Sequence, residues 1–182
     1  MISTRPSRGR ALRWLAAGLL ALLAACGEPA ANVEQPKRYD RLGVQMQIPA
    51  NWKLSDDERV SGMHYLAVES PGSALFIAMI QSDGGRDLGE FARSFSADAD
   101  KSMPAMLSGE SRFDLSGFAE GTVRERYVAS IGGVKVPHLR EYHKITGAHR
   151  TAFLITQSAE EDLAQTQPGF DLLVKSFKLT DR

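Results

Sequence analysis

One cysteine in 182 residues leaves no partner for an internal disulfide, so the fold has to rest on a hydrophobic core. An excess of one charge is missing too, with 22 Lys and Arg balanced by 22 Asp and Glu. That balance hides an asymmetry, because residues 1–25 carry Arg5, Arg8, Arg10 and Arg13 and no acid. The remaining chain has 18 cations against 22 acids, a net of −4. Such a chain has no general attraction for nucleic acid, and DNA or RNA is not expected as a partner. Nor is there an apolar run long enough to cross a bilayer. The run Trp14–Ala25 makes roughly 18 Å of helix against a hydrocarbon core of ~30 Å. Catalytic signatures are absent: no G-x-S-x-G elbow, no phosphate-cradling glycine loop and no H-E-x-x-H. With 43% hydrophobic and 24% charged residues the composition is that of an ordinary globular domain, not of a disordered chain.

What is present begins at the N-terminus. A basic segment through Arg13, an apolar stretch to Ala25 and small residues before a cysteine follow the order of a bacterial export signal. Leu23, Ala24, Ala25 and Cys26 resemble a lipobox. The resemblance implies a diacylglyceryl thioether on Cys26, cleavage after Ala25 and N-acylation of the new terminus. The thiol is the only group there able to form the thioether, and two or three acyl chains hold firmly where one holds only marginally. Gly27 in place of Asp leans towards an outer-membrane address facing the periplasm. Residues 26–38 contain two prolines and no apolar periodicity, and read as the lipidated cysteine with a flexible tether. The globular domain is placed at 39–182.

Within that domain, Val44, Met46 and Ile48 alternate with glutamines and predict a half-buried strand ending at Pro49. The turn Pro49-Ala50-Asn51 then brings Trp52 over one end of the core. Strands are expected at Met63–Glu69 and at Ala74–Ile80, the second buried on both faces. Asp87 and Glu90 form a capping-box pattern ahead of Leu88, Phe91, Ala92, Phe95, Ala99, Met103 and Met106 at helical spacing, with Pro104 ending the helix. Thr122–Ile131 and Val134–Ile145 flank Gly132-Gly133 as a hairpin. In that register Arg124 faces Glu141, Glu125 faces Arg140, Val123 faces Tyr142 and Ala129 faces Val136. The two unlike pairs are explained as cross-strand stabilisation of roughly 0.2–1 kcal/mol each. Pro137 implies an edge or a bulge. Thr151–Thr156 is a further strand, Ser158 with Glu161 a second cap, and Pro168 a break before a final helix through Phe170, Leu173, Val174 and Phe177. Leu179 closes the core. The pattern predicts an α+β domain with helices packed on a largely antiparallel sheet.

From Tyr39 to Leu179 this layout resembles the PsbP-like superfamily, which includes DcrB-like lipoproteins and the Ran-binding Mog proteins. The residues that carry it are Ile48-Pro49-x-x-Trp52, the helix from Leu88 after an apolar strand, and Phe170 with Ser176-Phe177-Lys178-Leu179. The resemblance implies an α/β/α sandwich around an antiparallel sheet, in proteins that are mostly accessory subunits, chaperone-like proteins or partner-binding modules.

Chemistry is sparse. His138 and His143 fall on opposite faces of one strand, and with His64 and His149 they suggest no metal site. Trp52 and Tyr142 are read as core residues before pocket residues. No cofactor is expected beyond the covalent lipid on Cys26. The leading expectation is a non-catalytic, lipid-anchored envelope protein that binds another protein. A carrier with a pocket between sheet and helix is the alternative, and a hydrolase comes third.

Overall fold

Alternation decides the strands. In a computed structural model, which describes residues 27–82, 86–102, 111–131 and 133–180, Val44, Met46 and Ile48 are buried on one face of a strand, as their spacing requires. The elements are β1 (Lys37–Arg41), β2 (Val44–Ile48), β3 (Lys53–Val60), β4 (Met63–Glu69), β5 (Leu75–Gln81), α1 (Leu88–Ser102), β6 (Arg112–Asp114), β7 (Thr122–Ile131), β8 (Val134–Thr146), β9 (Thr151–Ala159), α2 (Leu163–Ser176) and β10 (Lys178–Leu179). Seven strands form an antiparallel sheet in the order β3-β4-β5-β9-β8-β7-β6, and β1-β2-β10 form a second, small one. The domain is therefore α+β, with two sheets where one was expected.

A helix packs on each face of the large sheet. Under α1 lie Ile77, Val123, Tyr142, Phe153 and Ile155 with Leu88, Phe91 and Ala92. On the other face Leu66, Val68, Phe76, Ile80 and Leu154 meet Trp52, the small sheet, and Phe170 and Leu173 of α2. Trp52 is buried edge-on to Phe170, with ring centroids 5.2 Å apart. Leu179 packs against the same cluster.

The β7–β8 register matches the expected pairing at every position. Pro137 needs no bulge. It lies on the stretch of β8 ahead of His138, where the pairing with β9 begins, so its missing N–H interrupts no ladder on that side. Asp87 caps α1, its Oδ1 accepting from the amides of Gly89 at 2.9 Å and Glu90 at 3.1 Å. Met103, Pro104 and Met106 lie outside the described residues, as does Gly132.

Four expectations need correction. Lys37–Arg41, assigned in part to the tether, is an edge strand with one buried residue, Tyr39, so it has no apolar alternation to detect. Lys53–Val60, where no strand is expected, forms one at the edge of the large sheet, exposed and charged. Ser158 is not a cap: it sits buried in β9, with Thr166 Oγ1 3.2 Å from its hydroxyl, and the short turn Glu160–Asp162 after it has no side-chain cap. Pro168 does not break the last helix, which begins at Leu163 and runs through it. Burial of Thr166, Gly169, Phe170 and Leu173 outweighs the local penalty.

Antiparallel register assigns every turn to one of two ends. At one lie the Pro49–Trp52 turn, the 70–74 turn, the β7–β8 tip and the start of α2. At the other lie the turns at Leu42-Gly43 and Ser61-Gly62, all four residues at positive φ, and the 147–150 loop.

Candidate functional site

The residues that sequence reading singled out for anchoring, Leu23, Ala24, Ala25 and Cys26, lie outside the described residues. The segment C-terminal to Cys26 is not a free linker. Both carboxylate oxygens of Glu28 accept backbone amides of the 70–74 turn, from Gly72 at 3.3 Å and Ser73 at 2.8 Å. Ala31 N–H donates to the Gln165 carbonyl at 2.9 Å, and Ala50 N–H donates to the Asn32 carbonyl at 2.8 Å. Asn51 closes the contact, accepting from Asn32 N–H and donating to the Ala30 carbonyl. Gly169 makes room for this segment, since a Cβ there would sit 2.8 Å from both Ala31 Cβ and the Trp52 ring. The tether is thus pinned to the domain from Glu28 onward.

The second feature is a buried polar cluster beneath α1. Val123 and Tyr142 are an opposed pair facing the core, so period two places Glu125 and Arg140 on that same face. Glu125 is fully buried and Arg140 is 2% exposed. Glu125 Oε2 accepts from Arg140 Nη1 at 2.8 Å and from the Tyr142 hydroxyl at 2.5 Å, while Oε1 accepts from Ser96 at 2.6 Å. Arg140 Nε and Nη2 both donate to Gln157 Oε1. The guanidinium lies over the Tyr127 ring at 4.5 Å and near the Phe95 ring at 5.3 Å, and Tyr127 stacks on His138. Burial, followed by the Glu125 carboxylate, pushes the Tyr142 hydroxyl well above its ordinary pKa, so it stays a donor. Burial also pushes Tyr127 up to about 12. Every strong acceptor of Glu125 is occupied, so this cluster stiffens the helix–sheet contact and offers no idle base.

The exposed partner pair behaves differently. Arg124 Nε donates to Glu141 Oε1 at 2.6 Å on the opposite face, with the Arg124 side chain half exposed. His138 and His143 lie on opposite faces, as their spacing requires. His143 Nδ1 is 3.2 Å from Thr122 Oγ1, and burial holds its pKa below the ordinary histidine value. His64 is buried against Asp57 at 2.9 Å, which also accepts from Tyr39 and Arg41, and His149 is exposed in its loop. Among the described residues no three His, Cys, Asp or Glu side chains converge as metal ligands.

Among the described residues, recesses lie on both faces of the large sheet. One of about 150 Å³ between β8, β9 and α2 is lined by Glu141, His143, Thr156, Phe170 and Asp171 among others. Another, about 330 Å³ and beside α1, is lined by Met79, Phe91, Phe95 and Ala99 with Arg86 and Asp98. Ser96, Gln157, Tyr127 and Glu28 carry no sequence motif and were not anticipated. Parity with the Val123–Tyr142 pair was the available signal for the buried cluster.

No family model and no curated protein matches the chain. Solved structures with a similar arrangement include cyanobacterial PsbP (CyanoP) from Synechocystis sp. PCC 6803, at 15% identity and a TM-score of 0.48, covering 87% of this chain and 99% of that one. LpqN, involved in cell envelope biogenesis of Mycobacterium tuberculosis, is 12% identical with a TM-score of 0.43, covering 84% and 99%. The Saccharomyces cerevisiae Ran-binding protein Mog1p is 10% identical with a TM-score of 0.46, covering 81% and 96%.

Proposed function

We propose that this chain is a lipid-anchored cell-envelope protein whose folded domain is a non-catalytic module that binds another protein. The observation that carries the reading is the run Leu23-Ala24-Ala25-Cys26 behind a basic and apolar leader. Cys26 takes the diacylglyceryl and N-acyl lipid, residues 1–25 are removed, and the mature domain faces the periplasm, with the outer membrane favoured. No helix among the described residues is long and apolar enough to cross a membrane, so membrane attachment falls to the lipid in this reading. The saturated Glu125–Arg140 cluster supports a stable binding scaffold more than a reacting centre. Cys26→Ala tests the anchor: labelled fatty acid and membrane retention should vanish together, and retention without label would sink it. Crosslinking of the tagged wild-type protein in intact envelopes should then recover one partner reproducibly. Repeated recovery of abundant background alone would count against the module.

A second reading has its own observation. The recess beside α1, with Met79, Phe91 and Phe95, is at the lower end of the roughly 300–1,000 Å³ usual for small-molecule sites. A reproducible ligand mass on the gently purified domain would favour a carrier, and a clean apo spectrum would remove it.

A further inference from the structure

The pinned tether has a geometric consequence at the end of the molecule where it docks. Glu28 is held against the 70–74 turn, and only Gly27 separates it from Cys26. Two Cα–Cα steps reach about 7 Å, so a lipid on Cys26 holds that turn close to the headgroups. The same end carries the β7–β8 hairpin. Leu75, Gln157 and Arg140 lie on one row across the sheet. From that row the 70–74 turn descends three residues to Gly72, while β8 runs back six residues to Val134. At about 3.3 Å per residue the hairpin tip stands roughly 10 Å beyond the turn to which the anchor is fixed. Neither β6 nor β9 flanks it there, because β6 pairs only with Arg124–Arg126 and β9 pairs only from His138. Val134 at the tip is 63% exposed, the most exposed of the large hydrophobic residues described, and Lys135 beside it is exposed too. Glu160, Glu161 and Asp162 share this end but follow Ala159, which pairs with His138, four residues back from Val134, and Glu160 is held by Arg126.

We infer that the β7–β8 tip, through Val134 and Lys135, is a second membrane contact that enters the lipid interface and fixes the tilt of the anchored domain. The inference rests on the lipid-anchor reading. A hydrophobic side chain set beside a cation suits the boundary between acyl chains and anionic headgroups. Its exposure then has a use that a water-facing hairpin would not give it.

The test uses the full lipidated chain in vesicles of phosphatidylethanolamine with a minority of phosphatidylglycerol. Once Cys26 is a thioether, Val134→Cys provides the only thiol, and Val60→Cys, in an exposed position at the opposite end, is the control. With an NBD label, position 134 should show blue-shifted emission that doxyl-labelled lipids quench, and position 60 should show neither. Equal, water-like emission at both sites overturns the contact. A long Gly-Ser insertion after Gly27 should return the label at 134 towards water; a label that stays quenched there overturns the claim that the short tether places it. The chain without an added cysteine is labelled first. If Cys26 takes the dye, the anchor reading has failed, and the contact fails with it.

Discussion

Arg140 is a cation with almost no water, held by one carboxylate, one amide oxygen and two aromatic faces. Removing one member of such a pair leaves an uncompensated charge and costs about 3–5 kcal/mol, whereas replacing both by apolar groups is often neutral. Arg140→Ala should therefore lower urea stability by that amount. Glu125→Leu combined with Arg140→Met should recover most of the loss. Valuing the two opposed charge pairs of the hairpin alike identified the register but misjudged the energetics, because strand parity puts Glu125 and Arg140 on the core-facing side. His143 gives a pH signature. Its folded pKa is depressed by burial, so below about 6.5 the unfolded chain takes up a proton before the folded one does. Stability should fall as pH drops below that value and level off once the folded form also protonates. Glu141, Asp171 and Arg124 set the final position of that second step. In His143→Gln the decline in unfolding midpoint between neutral and mildly acid pH should be shallower.

Elements with an apolar pattern, whether one-faced or continuous, were legible, and those without one were not. The hairpin and α1 carry alternation or helical spacing, which in the hairpin gave the partner as well as the type, and β5 was legible as a short apolar run buried on both faces. Edge strands β1 and β3 are mostly charged and exposed, a protection against pairing with other chains that also erases the apolar signal. In α2, local chemistry pointed the wrong way: Pro168 suggested a break, yet the helix is held by what Gly169 and Phe170 touch. Gly169→Ala tests that claim. It gains about 1 kcal/mol of helix propensity, but its methyl group overlaps Trp52 and Ala31, at a cost of about 1–3 kcal/mol. The net expectation is a small destabilisation, with a shifted Trp52 emission spectrum as the sign that the clash, and not the helix, is responsible.

For the molecule as a whole, the proposed address rests on four residues outside the described structure, while the docking of residues 28–32 on the domain had no signal in the sequence. No pattern in Glu28–Arg38 announces that a carboxylate will cap a turn more than forty residues away. Glu28→Ala should leave global stability nearly unchanged while the amides of Ser73 and Ala31 exchange faster, as followed by hydrogen–deuterium exchange. If the Ala31 amide keeps its protection, the segment is pinned through Asn51 and not through Glu28.

The strand order also governs when the domain can exist. In the large sheet β5 is joined to β9, and in the small sheet β2 is joined to β10, so both sheets wait for the last segments of the chain. Contacts so distant in sequence form slowly, since much chain must be ordered before any of them repays the loss of entropy. Until β9 has emerged, the edge of β5 that it covers in the sheet has no partner strand. If the chain is exported as proposed, that order suits passage through a translocation channel, because closure of either sheet is postponed until β9 and β10 have arrived.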